Sequence, residues 1–303
     1  MQGVPPYRGT GVPAGDSPIR IDGRGSGPQR LTLRVSSQVE RGPLRKIFTI
    51  RNIDAQREHM WSARRIEEEV AACPRRRIAR YFMEYLPKDE PILEAGCGLG
   101  AWVIYLGDLG YDIAGIDNDA QVIGRLKEWR PSLSVSAGEI RGLPCETGSL
   151  GAVISLGVME HFEEGCDEVM RETCRVLRPG GLFFFTVPLN NLFRKLVAHP
   201  LRGLYLRWRG AHGDSIHFAE YRYTPAEVER TIARHGFTPF LTTWDDFSEK
   251  KMSLGIWADF PPLQARQLYE MNAGGKIVAF LLNTLSPWIA ASGVLCVARK
   301  TGK

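Results

Sequence analysis

The sequence predicts an α/β fold: a parallel sheet covered by helices on both faces, carrying a helical insertion late in the chain. Three observations support this. From Pro91 onward, apolar strand-like runs alternate with helical stretches. A glycine-rich loop, Gly96-Cys97-Gly98-Leu99-Gly100, follows the first run and opens a helix. An acid, Asp117, stands 21 residues beyond Gly96 at the tip of the next run.

The elements follow in order. Residues 1–30 hold seven Gly and five Pro in a polar context, too little apolar surface to offset the entropy of ordering. Residues 1–53 are therefore expected to form a disordered, basic, Pro/Gly-rich extension, with short extended pieces at Leu31–Val35 and Ile47–Ile50. From Asp54 to Leu86, apolar residues recur at three-to-four spacing (Met60, Ile66, Val70, then Ile78, Tyr81, Phe82, Tyr85), which predicts two helices parted at Pro74. Strands are expected at Pro91–Ala95, Asp112–Ile116, Leu133–Ala137, Gly151–Leu156 and Gly181–Val187, and helices over 101–109, 120–128 and 167–177. The rhythm breaks between Pro188 and Tyr223. It resumes with a helix capped by Thr224-Pro-Ala-Glu227 and ended by Gly236, then strands near Phe237–Trp244 and Gly293–Ala298. The folded domain thus spans 54–303, with an insertion at about 189–223.

Composition narrows the function classes. Nine Lys/Arg against four Asp/Glu in residues 1–55 account for the whole net charge of +5, so the remaining chain is formally neutral and a nucleic-acid surface is not indicated. The six cysteines lack a C-x-x-C pair or a His at zinc-ligand spacing, which reads as free thiols in a reducing cytoplasm with no metal site. His212, His217 and Asp214 lack a third ligand partner at helical spacing. The first 30 residues carry no apolar secretory core. Ile277–Ala298 is apolar for 22 residues, but Asn283, Ser286, Pro287 and Ser292 interrupt it, which argues against a membrane span.

The glycine loop permits a tight turn and close approach of backbone to a ligand, and a carboxylate at Asp117 can accept from two vicinal ribose hydroxyls. These residues alone leave a nicotinamide or flavin dinucleotide open, and Asp117 could be a plain turn residue. Across Trp61 to Lys300, however, the sequence resembles the class I S-adenosylmethionine-dependent methyltransferases, particularly their small-molecule branch. The shared marks are Leu93-Glu-Ala-Gly-Cys-Gly-Leu-Gly100, Gly115-Ile-Asp117, Gly138-Glu139, Ile154-Ser-Leu-Gly-Val-Met-Glu-His-Phe162, Arg175-Val-Leu-Arg-Pro-Gly-Gly181, and Tyr223-Thr224 with Gly236-Phe237. The resemblance implies a Rossmann-like seven-stranded sheet in the order 3-2-1-4-5-7-6, with the last strand antiparallel. It also implies S-adenosylmethionine as cofactor. Glu94, Gly96, Cys97, Gly98 and Gly100 would shape the methionine pocket, and Asp117 with Asn118 would take the ribose. Glu139 and the Ile140 N–H would meet the adenine, and the backbone of Leu156 and Gly157 the ammonium. Glu139 departs from the Asp usual in the family, as does Gly151 at the start of the fourth strand. A non-catalytic cofactor-binding regulator or scaffold is the alternative.

On the acceptor side, His161, His217 and Tyr221 are the candidate general bases for O- or C-methylation. Each also has a structural reading, His161 as a turn brace and the other two as packing. Leu192, Phe193, Leu196, Val197, Leu201, Leu204, Tyr205 and Trp208 form an apolar helical stripe, with Lys195, Arg202 and Arg209 recurring every seven residues. Pro200 is expected to split the stripe into two helices. The insertion reads as a lid over a small-molecule or lipid-linked acceptor, or as a peripheral contact of 192–209 with the inner membrane surface. The competing reading packs that stripe on the domain's own core. No Asn/Asp-Pro-Pro-Tyr motif follows the fourth strand, which argues against base methylation of nucleic acid, and Cys145 precedes that strand, where a structural role is expected.

Overall fold

The computed structural model describes residues 44–50, Trp61 and residues 64–302. Most of the expected N-terminal extension, with its Leu31–Val35 piece, lies outside them. Arg45–Thr49, placed by the sequence inside that extension, is an ordered strand, β1. It pairs antiparallel with β7 (His217–Arg222) from the far side of the insertion, so a long-range partner supplies the hydrogen bonds that its local composition does not predict.

Helices α1 (Ile66–Ala72) and α2 (Ile78–Tyr85) flank a 3₁₀ turn that contains Pro74, as the periodicity implies. The alternating core follows: β2 (Ile92–Ala95), α3 (Ala101–Asp108), β3 (Ile113–Asp117), α4 (Ala120–Trp129), β4 (Val135–Ala137), β5 (Leu150–Leu156), α5 (Asp167–Val176) and β6 (Leu177–Pro188). After the lid come α7 (Pro225–Ala233), β8 (Phe237–Asp245), α8 (Leu254–Asp259), α9 (Ala273–Leu285) and β9 (Gly293–Lys300). The Glu227 carboxylate accepts from the Thr224 N–H at 2.7 Å and hydroxyl at 2.8 Å, closing the N-terminus of α7.

The sheet order is β4-β3-β2-β5-β6-β9-β8, with β9 antiparallel to both neighbours, which is the expected 3-2-1-4-5-7-6 arrangement. Helices cover both faces, so the central strands read as continuous apolar runs; in β5 all residues but Leu156 are buried. Alternation along β6 divides the core. Phe184 packs on Phe82 at 5.3 Å on one face, while Phe183 and Phe185 stack at 4.8 Å on the other. Each buried Phe contributes about 1.5–3 kcal/mol by leaving water. A smaller third cluster, including Phe247, Met252, Ile256, Met271 and Ala279, sits under α8 and α9, which the sequence reading left unassigned.

The lid departs from expectation. A π turn over Arg194–Ala198 runs directly into α6 (His199–Ala211), so Pro200 does not split the segment. Proline has no N–H to donate and its ring crowds the carbonyl four residues earlier; a start to α6 beside a widened π turn accommodates both. Phe193 packs on the third cluster, but most of the apolar stripe does not pack on the core. No residue of α6 is buried, and Leu192, Leu196, Leu201, Leu204, Tyr205 and Trp208 are exposed. No helix among the described residues is long and apolar enough to cross a membrane.

Candidate functional site

The glycine loop lies at the carboxyl ends of β2 and β3, where strands stop and helices begin. Gly96, Gly98 and Gly100 adopt φ of 85°, 49° and 63°, a left-handed region that side chains disfavour. Space excludes side chains too. A Cβ on Gly96 would collide with Val158, and one on Gly98 would lie 2.7 Å from the Trp61 ring. Trp61 thus roofs the loop.

Asp117 is held across the cleft by the loop backbone. The Gly98 N–H donates to its Oδ2 at 2.8 Å and the Asp119 N–H to its Oδ1 at 3.0 Å. Each carboxylate oxygen keeps a second acceptor position, which suits a vicinal diol. Asp119 itself caps α4 by accepting from the Gln121 and Val122 N–H groups. Glu94 is buried, and its Oε2 has no hydrogen-bond partner. Burial, opposed by a backbone hydrogen bond at Val103 and reinforced by Asp117, pushes its carboxyl well above the usual range. A ligand cation would supply the missing partner. Cys97 is also buried and its thiol pushed up, so it shapes the loop without acting as a nucleophile.

One cavity of about 1280 Å³ joins this loop to the lid. Asn118, Glu139, Ile140, Leu156 and Gly157, which the sequence assigns to the cofactor by resemblance, line it. Glu139 is also paired with Arg141 at 3.4 Å, so any adenine contact competes with that ion pair. His161 lines the cavity in the turn after β5, and its Nδ1 lies 2.8 Å from the Ala219 carbonyl oxygen. A carbonyl only accepts, so Nδ1 donates to it, and Nε2 faces Glu160 Oε1 at 4.0 Å.

The other two catalytic candidates lie apart from His161. His217 and Tyr221 of β7 do not line the cavity; Ala219, Glu220 and Arg222 do. His217 is exposed, and the Tyr221 hydroxyl donates to the Glu163 carbonyl oxygen at 2.8 Å. His212 Nδ1 is similarly occupied by the Trp208 carbonyl of its own helix at 2.7 Å. No three His, Cys, Asp or Glu side chains gather as metal ligands among the described residues.

The lid end contains residues that sequence reasoning missed. Arg194 donates to Asp259 at 2.6 Å and to the Leu189 and Ser292 carbonyls, both at 2.8 Å. Arg222 reaches Asp259 at 3.1 Å and Glu220 at 2.7 Å. Burial raises the Asp259 carboxyl, but Arg194 and Arg222 outweigh it and hold it below the ordinary range. Arg202 lines the same end with no hydrogen-bond or ion-pair partner among the described residues. Tyr269, with φ of 58°, is the one described non-glycine residue in the left-handed region. Its hydroxyl is held by Arg64 at 2.8 Å and Glu69 at 2.9 Å. No local pattern announces these residues, because decisive partners lie far along the chain: Asp259 is 65 positions from Arg194 and 37 from Arg222, and Glu69 is 200 from Tyr269.

A glycine loop after β2, at the point between β2 and β5 where the strand order reverses, an acid held opposite it and this sheet order define a Rossmann-like nucleotide-cofactor fold. The methyltransferase domain family matches residues 62–241, and the chain belongs to it, in the class I S-adenosylmethionine-dependent group. A probable S-adenosylmethionine-dependent methyltransferase of Mycolicibacterium smegmatis is 29% identical over 116 residues, which cover 38% of this chain and 45% of that one. The chain thus spans less than half the length of that relative. Among solved structures, the putative methyltransferase of Haloferax volcanii, in complex with the Trm112 activator, superposes with a TM-score of 0.51 at 16% identity, covering 82% of this chain and 96% of that one. A geranyl diphosphate methyltransferase in complex with S-adenosylmethionine gives 0.50 at 15% identity, covering 80% and 90%. Both likenesses are of fold. The residues present fit the cofactor: a side-chain-free cradle at Gly96 and Gly98, an acid held for the ribose, and a buried carboxyl with an unpartnered oxygen for a cationic end.

Proposed function

We propose that this chain transfers the methyl group of S-adenosylmethionine to a small-molecule or lipid-linked acceptor that enters beneath the lid, by O- or C-methylation. The carrying observation is the continuous cavity of about 1280 Å³ running from the glycine loop to the lid. Pockets for one ligand hold roughly 300–1000 Å³, so donor and acceptor have room side by side.

The cofactor supplies an electrophilic methyl group on a sulfonium. The chain's own work is alignment and exclusion of water. In this reading Asp117 fixes the ribose, and Glu139 with the Ile140 N–H meets the adenine. Glu94 and the backbone at Leu156 and Gly157 receive the amino-acid end. His161, oriented by Ala219, accepts the acceptor's proton at Nε2 as the methyl arrives. Arg202 is placed to receive an anionic group on the acceptor, and the exposed apolar face of 192–209 supports a lid that meets a membrane surface.

Calorimetric titration with S-adenosylhomocysteine, with NADH as control, followed by transfer of labelled methyl into water-soluble and lipid extracts, tests the reading. Label in an extract is expected; preference for NADH would overturn it. His161→Gln is expected to lower kcat by about 10²–10⁴-fold while leaving S-adenosylhomocysteine affinity unchanged. An unchanged kcat would remove His161 as base.

A further inference from the structure

A second cavity of about 590 Å³ lies between β1 and the lid. Its basic lining is Arg45, Lys195 and Arg207, with the His199 ring among them and no Asp or Glu. Lys195, His199, Gly203 and Arg207 recur every fourth residue and so form one stripe along the lid, while Arg45 faces them from β1. A Cβ on Gly203 would meet nothing within 4 Å, which leaves the stripe open at its middle. The side chains of Arg45, Lys195 and Arg207 have no hydrogen-bond or ion-pair partner among the described residues. The contrast with the neighbouring arginines is chemical: Arg209 is neutralised by Asp214, and Arg194 and Arg222 by Asp259.

His199 adds no charge of its own to the cavity. Burial first, then Arg222, Arg45 and Arg194, lower its pKa to about 4, with Asp259 opposing. It therefore enters as a neutral ring, its Nε2 bound to Asn190 Oδ1 at 3.1 Å. Three unneutralised cations around one hollow repel each other, and an anion with several acceptor oxygens removes that repulsion. Beside them Leu196, Leu201, Leu204 and Trp208 are 68%, 56%, 63% and 58% exposed. Cations next to exposed aliphatic and indole side chains on one helix match a surface that is anionic at the headgroup and apolar beneath it.

We propose that this cavity holds the phosphate of an anionic phospholipid headgroup and docks the lid on an anionic membrane, the four apolar side chains entering the interface. The inference rests on the membrane-facing lid proposed above and names the residues that read the lipid. It also revises the sequence pattern, since the headgroup cations are Arg45, Lys195 and Arg207 rather than the Lys195, Arg202 and Arg209 series.

The test is co-sedimentation of the full chain with vesicles of phosphatidylglycerol in phosphatidylcholine and of phosphatidylcholine alone, with S-adenosylhomocysteine titration alongside. Binding is expected to favour the anionic vesicles. The Lys195→Glu/Arg207→Glu double variant is expected to lose that preference, at roughly 5-fold or more per reversed charge, with S-adenosylhomocysteine affinity unchanged. Equal binding to both vesicles, or a double variant that binds like the parent, overturns the headgroup site while the membrane-facing lid stands. Binding to neither overturns both, and thermal protection by inorganic phosphate in that case would assign the cavity to a soluble anion instead.

Discussion

The cofactor loop and the lid meet at one cavity but are built by opposite means. Around Gly96–Gly100 the geometry is made of backbone: left-handed glycines, N–H groups turned on Asp117 and side-chain contacts that exclude even a methyl group. At the lid the geometry is made of side-chain charge: α6 buries nothing, and the segment is tied down by Arg194, Asp259 and Arg222, assisted by Phe193 against Phe260 at 5.1 Å. A site built from backbone tolerates little substitution within it, whereas one built from ion pairs depends on a few distant residues and leaves its outer face free to serve another contact.

Substitutions should separate the two regimes. The largest effect is expected at Asp259→Ala, which leaves the nearly buried Arg194 and Arg222 without their shared carboxylate. Breaking a buried pair costs about 3–5 kcal/mol. Urea unfolding should show that loss; a change below about 1 kcal/mol would mean the lid is not held this way. Because the Asp259 carboxyl lies below its ordinary range, the stabilisation is present above its unfolded pKa near 3.8 and is lost as pH falls through the lower folded value.

Next is Gly96→Val, which forces a β-branched residue to φ of 85° and into Val158. Titration with S-adenosylhomocysteine should show affinity weakened by about 100-fold or more, while far-ultraviolet circular dichroism reports an intact sheet. Retained affinity would refute the backbone account of the loop.

A smaller effect separates Asp246, in the loop after β8, from Asp259. Burial, offset by N–H donors from Leu254 at 2.6 Å and Phe247 at 2.7 Å, raises the Asp246 pKa to about 6. With the folded value above the unfolded one, its stabilisation is fully present below the unfolded pKa and lost as pH rises through about 6. Unfolding free energy should therefore gain about 1 kcal/mol from this group between pH 7 and pH 5, and Asp246→Asn should remove that part of the slope. An unaltered slope would assign the pH dependence elsewhere.

The smallest effect is expected on the outer lid. Leu201→Ser should move stability by less than about 0.5 kcal/mol, since the side chain is 56% exposed. A loss above 1 kcal/mol would show that this face is covered in the folded chain.

The sequence by itself determined the sheet and the cofactor end. Apolar runs such as Gly151–Leu156 and the glycines at 96, 98 and 100 encode structure locally, because strand burial and left-handed turns are decided by the residues that undergo them. The same logic marked Asp117, whose place follows from ending a strand beside the loop. Only the tertiary structure decided the lid end. Whether Pro200 breaks a helix, which side of β7 faces inward and which arginines are neutralised all depend on partners far along the chain. Arg194 meets Asp259 and Arg45 lies opposite Arg222, pairings that no local spacing encodes, since ion pairs and strand partners form between residues that only the completed fold brings together.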